Sequence, residues 1–530
     1  MDRRVAQGRS SLAWQPTPSS LFVSVAVGAG LVAIALVVYT LSHPYRFYNH
    51  FEWQALAFLE GQTSIRYPVE ASPTSPGNAF FQDVLPVSAT RGVIPFPPLP
   101  AIVLTPFVAL WGLATNGQLV FAIIGAIDVG IAWWMLGRLS IRTWVRVAAT
   151  VFLGFGTVLW YAAQIGTTWY QAHVLAVGLT LAAIGVAIGA DRNAARSEDD
   201  AIDDGEGERF DAIGGPAADD AATRRILGRF RLPALNPDRQ QFLAGVLFGL
   251  ACLSRLTVVF AAPFFLLVGS GGSWTRRGWS AAIGAAIPLV FLVAYNLIST
   301  GHVFHPGYQH LYELEAQYYE PLDYHLDWQI EDLRYLPQNF GIMFLNTPVW
   351  MPTVVPSALG AGGPLCTDPA AVRGLFNPDC PLILPKDTGM SILLTSPAYL
   401  LALPALRWGF GLSRLVTGAS LAVLIVAFVN LLHFSQGWVQ FGYRFSLDFA
   451  PFALLLVAIG LERVATRTGP RRSAGSAGSG AGAGAAATDI GGASGGRVGA
   501  RVFVGLALAL VVVSVLVNLW GVVWGDVLGW

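Results

Sequence analysis

Apolar residues in this chain gather into long runs, each bounded by a short polar connection. The first, Leu21–Leu41, is long enough to cross the ~30 Å hydrocarbon layer of a bilayer at ~1.5 Å per residue. Further runs follow at Leu119–Leu136, Val147–Ala162, Val174–Ala190, Phe242–Leu253, Val258–Val268, Ala281–Ile298, Ser391–Leu406, Leu415–Leu432, Phe449–Leu461 and Val502–Val523. They predict an all-α polytopic membrane fold of about 11 transmembrane helices. The Phe242–Val268 pair is short and interrupted by the polar stretch Ser254–Thr257. No small-residue cleavage site follows the first run, which reads as a retained span rather than a signal peptide.

Composition agrees with this pattern. The 530 residues are 54% hydrophobic and only 12% charged, too little charge to coat a water-soluble protein of this size. The formal net charge is zero, so nothing points to nucleic acid.

Lys and Arg in the short connections set the orientation. "MDRRVAQGR", "GRLSIRTWVR", "WTRRGW", "RWGFGLSR" and "ERVATRTGPRRS" all fall on one side if the runs alternate, whereas "AQIGTTWYQAH" and "HFSQGWVQFGY" carry almost no basic residue. The basic side is expected to be cytoplasmic, with the N-terminus, in a cell (plasma or inner) membrane. Two large segments, 43–117 and 300–387, then lie outside. The first is expected to carry an amphipathic helix, and the second is rich in aromatics and carboxylates around Tyr308. The acidic insert 192–240 and a Gly/Ala/Ser linker over 464–500 read as disordered, so the chain divides into a membrane core (1–463), that linker and a C-terminal helix (501–530). The tether suggests that the last helix packs loosely or is dispensable. No inverted repeat relates the two halves.

Of the three cysteines, Cys252 lies in an apolar run and reads as a buried small hydrophobe. Cys366 and Cys380 bracket a polar loop in the second outer segment and suit a disulfide in an oxidising compartment.

Ionisable groups at a membrane are costly, so each asks for a role. In "NHFEWQALAFLEG", Phe51, Leu56, Ala57 and Leu59 can lie against the membrane while His50 and Glu52 face elsewhere; the acid is then either functional or merely solvated. Further on, Pro95, Pro97, Pro98 and Pro100 forbid a continuous helix and favour an extended entry into a shorter one. Asp83 sits just upstream, and Arg91 is placed to pair with an anion. Arg255, with apolar residues on both sides, falls at the outer end of its span, where a planar guanidinium suits a phosphate. Tyr443, Arg444 and Asp448 are expected on one helical face, with Arg444 and Asp448 at i, i+4 as an alternative structural ion pair. Trp169 and His173 in "GTTWYQAHV" are further candidates, and Asp128 reads as a helix–helix tie.

These pieces occur in a recognisable order: "PFPPLPAIVLTPFVALWG", "FGTVLWYAAQIGTTW", "GVLFGLACLSRLT", "YNLISTGHVFHPGY", "GMSILLTSP" and "FGYRFSLDFAPF". The chain resembles the C-type membrane glycosyltransferases, the group that holds protein O-mannosyltransferases and lipid A aminoarabinose transferases. The resemblance spans nearly everything outside the two low-complexity inserts. It implies a helical bundle with a large first outer loop and a sugar donor carried on a polyprenyl phosphate. It also implies a first-loop carboxylate that acts as base or holds a divalent cation (Mg or Mn), and basic residues on the lipid phosphate. Glu52 matches the first-loop acid, Asp83 is a second acid further along, and Arg255 and Arg444 match phosphate contacts. Where many members carry an adjacent acidic pair or an Asp, this chain has one Glu with a histidine two residues before it. Glu52 and Asp83 therefore both stand as base and as metal ligand. His50, Arg91, Trp169, His173, Arg255, Tyr308, Tyr443, Arg444 and Asp448 stand as substrate-binding residues. The expected reaction is sugar transfer from a polyprenyl-phosphate donor to an extracytoplasmic glycan, lipid or protein. A transporter or flippase, or a polymerase or ligase using a lipid-diphosphate glycan, is the alternative.

Overall fold

The computed structural model describes residues 18–41, 48–73, 76–203, 237–318, 327–355, 362–435, 437, 439–467 and 492–529. The basic N-terminal stretch, most of the acidic insert and most of the Gly/Ala/Ser tract lie outside these residues. The described chain is mostly helical. Its long helices are α1 (Pro18–Thr40), α2 (His50–Leu59), α3 (Leu99–Trp111), α4 (Gly117–Leu136), α5 (Thr143–Phe155), α6 (Leu159–Ile165), α7 (Thr168–Asp203), α8 (Arg239–Ser254), α9 (Trp274–Thr300), α10 (Gly307–Tyr318), α11 (Arg414–Leu432), α12 (Ala450–Arg467) and α13 (Gly492–Leu528).

Among the described residues six helices are long and apolar enough to cross a membrane: α1, α4, α7, α9, α11 and α13. The pair α5 and α6, bent by 46° at Gly156–Val158, makes a seventh if it is one span. The remaining expected spans fall on shorter or broken pieces. The Phe242–Val268 region is one of these: α8 ends at Ser254, Arg255 leaves helical geometry (φ −139°, ψ 103°), and two short turns of helix follow. The chain is thus a multi-pass membrane protein. Helices α8 and α9 pack closely, with Gly245 and Gly249 on the backbone at Ala281 and Ala285; any Cβ at Gly249 would stand 2.7 Å from the Ala285 carbonyl oxygen. Small residues at such a seam allow backbones to close up where lipid offers no hydrophobic drive. Asp128 of α4 is buried against Gly178 of α7 with Oδ2 unpartnered.

The all-α expectation needs correction in the first loop, which carries strands as well as the expected helix. Residues 60–98 contain a small antiparallel sheet, β1 (Ile65–Arg66), β2 (Leu85–Ser88) and β3 (Arg91–Val93), in the order β1-β3-β2. Trp53 and Ala57 of α2 pack with Ile65, Phe81, Val84 and Ile94 into a satellite core, while Phe51 and Ala55 face the main core. The α2 helix is therefore wedged between two protein layers rather than lying against lipid. His50 through Ala55 are all buried, and only Leu59 is openly exposed. The prolines act as expected: Pro98 caps α3 and Pro100 sits in its first turn.

A second correction concerns α13. It packs along α5, α6 and α12, with Asn518 Nδ2 donating to the Thr395 carbonyl at 2.8 Å and Trp524 fully buried. The span expected to pack loosely is built into the bundle. Cys366 and Cys380 form the expected disulfide, and Cys252 is buried and free.

Candidate active site

The ends of α7 and α8, the loop before α12, the start of α2 and the sheet loop converge at one end of the bundle. Asp83 follows the buried Phe81 and precedes the buried Val84, so these apolar anchors fix its carboxylate. Its Oδ2 accepts a hydrogen bond from Trp169 Nε1 at 2.8 Å and stands 3.9 Å from His50 Nε2. Burial pushes the Asp83 carboxyl up to about 6, against the Trp169 hydrogen bond and the Arg444 charge, which pull it down.

His50 opens α2 and stacks on Phe81 at 3.8 Å between ring centres. Its tautomer follows from the partners. The Thr168 hydroxyl has one proton, which it donates to the Tyr48 carbonyl at 3.0 Å, and it accepts the His50 backbone N–H at 3.2 Å. His50 Nδ1, 3.0 Å from the same oxygen, must then be a donor. That leaves Nε2 a bare acceptor, buried and without a partner. Burial lowers the imidazole to about 3, so it stays neutral.

The basic half of the cluster forms around Asp448. Arg255 grips this carboxylate through Nη2 at 3.1 Å and Nε at 3.4 Å. Thr257 Oγ1 donates to it at 2.7 Å and His173 Nδ1 at 2.9 Å. The break in the chain at Arg255 is what turns both Arg255 and Thr257 toward it. Arg444 behaves differently. Its Cζ stands 5.6 Å from the Tyr170 ring and 5.2 Å from Phe445, the same distance as Arg255 from Phe445. No carboxylate among the described residues pairs with Arg444, and its buried Nε lacks a hydrogen-bond partner. Tyr308 of α10 lies in the fields of both Arg255 and Asp83; burial pushes its phenol up.

Several sequence expectations change here. The Tyr443–Asp448 stretch is not one helical face. Tyr443 is extended, and Arg444–Asp448 is a tight 3-10 turn. Asp448 pairs with Arg255 and His173 rather than Arg444, because the tight turn separates the two side chains. Tyr443 is buried beside this network. Glu52 is not solvated: it is 3% exposed, and its carboxylate takes the N–H of Gly117 at the start of α4, with Oε2 buried and unpartnered. Burial pushes it up to about 7, partly offset by the backbone N–H groups of Glu52 and Gly117. Arg91 stays in β3, and no hydrogen bond or ion pair joins it to the cluster. Sequence reasoning missed Tyr48, Thr168, Tyr170, Thr257 and Phe445. Thr257 alone carried a signal, as a polar residue two places after Arg255 in an apolar run.

The donor set does not suit a divalent cation. Asp83 brings one carboxylate with an oxygen already bonded to Trp169, His50 brings one imidazole, and Glu52 is turned to Gly117. Hard cations such as Mg take about six oxygens. Among the described residues no group of three His, Cys, Asp or Glu side chains gathers for one.

No family model matches the sequence, and no curated protein matches it. Two solved structures are similar in chain path. One is ArnT from Cupriavidus metallidurans bound to undecaprenyl phosphate, at 13% identity and a TM-score of 0.43, over 96% of this chain and 78% of that one. The other is the oligosaccharyltransferase of Archaeoglobus fulgidus in its apo form, at 11% identity and a TM-score of 0.40, over 96% of this chain and 56% of that one. At these identities and scores they give no residue of this chain a role.

Proposed function

We propose that the protein is an integral-membrane glycosyltransferase that moves a sugar from a polyprenyl-phosphate donor to an acceptor outside the cytoplasm. The observation that carries this reading is the pairing of opposites in one cluster: a carboxylate, Asp83, held by Trp169, and an arginine, Arg444, over the ring of the neighbouring Tyr170, which pairs with no carboxylate among the described residues. Glycosyl transfer needs both. The base takes the proton of the acceptor hydroxyl as its oxygen bonds the anomeric carbon, while the bond from that carbon to the phosphate breaks. The departing phosphate carries the developing negative charge and needs a fixed cation. Asp83 supplies the base and Arg444 the cation. Arg255 is already neutralised by Asp448 and shapes the phosphate site beside it.

Between the two candidate acids, Asp83 fits the base better. Its carboxylate borders His50 and Trp169 in the cluster, whereas Glu52 is turned to the Gly117 N–H. The Lys and Arg bias of the short connections supports an orientation with this end of the bundle outside the cytoplasm and the N-terminus within. A transporter is the weaker reading, since these charges gather at one end rather than at a midplane between repeats.

The test is polyprenyl-phosphate binding by purified protein in nanodiscs. Arg444→Gln is expected to weaken it at least tenfold, the loss of about one charged hydrogen bond of 1.5–3 kcal/mol. Equal affinity in wild type and Arg444→Gln would remove the phosphate assignment.

A further inference from the structure

The groups around Asp83 say what kind of molecule the acceptor is. Two hydrogen-bond acceptors, His50 Nε2 and Asp83 Oδ2, stand 3.9 Å apart. The Thr168 bonds fix Nε2 as a bare lone pair, and Phe81 holds the imidazole plane, so neither can turn away. Beside them is a rim of rings. Tyr48 is 41% exposed and Phe80 is 45% exposed, their centres 5.7 Å apart, and Tyr48 leans on Trp169 at 4.8 Å. Trp169 is also the donor to Asp83, so the ring rim and the acceptor pair share one residue.

We infer that the acceptor is itself a sugar ring, seated against Tyr48 with two neighbouring hydroxyls aimed at His50 Nε2 and at Asp83. This rests on the reading of Asp83 as base. A lone hydroxyl, as on a serine side chain or a lipid alcohol, has one proton, which goes to Asp83 as base, and leaves His50 Nε2 unmet. A buried acceptor left unmet costs binding. Adjacent hydroxyls on a ring meet both: one donates to Asp83 and becomes the nucleophile, and its neighbour donates to His50 Nε2. The apolar face of the same ring covers exposed aromatic surface that a small peptide hydroxyl does not reach. His50 in this role is a positioning residue, and it selects acceptors that carry a second hydroxyl.

The test uses the full chain in nanodiscs with a polyprenyl-phosphate mannose donor. It offers three acceptor probes: methyl glycopyranosides, an N-acetylated serine amide and a long-chain alcohol. Transfer to a glycoside, with the other two inactive, is the expected result. The KM for the glycoside should rise about tenfold in His50→Asn, which keeps the Nδ1-like donor and loses the acceptor, and much less in His50→Gln, which restores an acceptor near Nε2. Tyr48→Ala should raise it and Tyr48→Phe should not. Transfer to the serine amide or the alcohol alone, or a KM in His50→Asn equal to that of wild type, overturns the inference. If wild type cleaves no donor at all, the glycosyltransferase reading fails separately. Glycoside quenching of tryptophan fluorescence, taken as wild type minus Trp169→Phe, then decides the sugar site by itself: saturable quenching supports it and none overturns it.

Discussion

Arg255 and Asp448, 193 positions apart in the chain, meet through two hydrogen bonds at the end of the bundle. Asp448 is fully buried and also takes Thr257 and His173, so all of its bonding capacity is used. The pair ties the broken end of α8 to the turn that opens α12.

Removing one member of such a pair leaves the other charge without compensation. Asp448→Ala is expected to destabilise the protein by about 3–5 kcal/mol. Arg444→Ala, with no ion pair to break, should stay within about 1 kcal/mol of wild type. Thermal denaturation in detergent compares the two; equal losses would contradict the assignment of Asp448 as the structural anchor.

Glu52 and Gly117 form a second dependency. A Cβ at Gly117 would run into Glu52 Oε1. Gly117→Ala is therefore expected to lower stability by about 1–3 kcal/mol through overpacking. Glu52→Gln keeps an oxygen for the Gly117 N–H and should be far milder. The same thermal assay reads both, and a Glu52→Gln loss as large as that of Gly117→Ala would show that the carboxylate charge itself is required.

The Asp83 carboxyl, raised from 3.8 to about 6, makes two pH predictions. A base must be deprotonated, so transfer should fall as pH drops through about 6. Stability runs the other way. The folded state favours the protonated form, so that contribution is fully present below about 3.8 and is lost as pH rises through about 6. At pH 8 wild type should be less stable than Asp83→Asn by up to about 3 kcal/mol, and the gap should close near pH 4. Melting profiles across this range, with the opposite trend, would contradict the burial of Asp83.

The last helix gives a fourth test. Deleting residues 492–530 removes the Asn518 bond to Thr395 and exposes the bed of Trp524. The truncated protein is expected to melt several degrees lower, and an unchanged melting temperature would show that α13 is dispensable.

The spans were legible because a bilayer demands long apolar runs, and the break at Ser254–Thr257 was visible as polar residues within one. The first-loop sheet was not, because strands of two to four residues leave no period-2 pattern to read. Arg444–Asp448 misled for a related reason: spacing of i, i+4 implies contact only if the segment is α-helical, and here a tight turn ended by Phe449 is not. Glu52 looked like the stronger acid from its place after the first span. Its true partner, the Gly117 N–H, lies 65 positions on and is set by packing alone. Arg255, by contrast, was conspicuous as a lone charge among apolar residues, and the structure does bring it into the cluster.

Whether Asp83 or Glu52 is the base comes down to one comparison. Sugar transfer from a polyprenyl-phosphate donor should be measured for Asp83→Asn and Glu52→Gln beside wild type, in nanodiscs at pH 7.5. Asp83→Asn is expected to lose a factor of about 10²–10⁴, the usual worth of a general base, while Glu52→Gln keeps most of its rate. Full transfer by Asp83→Asn, with loss in Glu52→Gln, would contradict it.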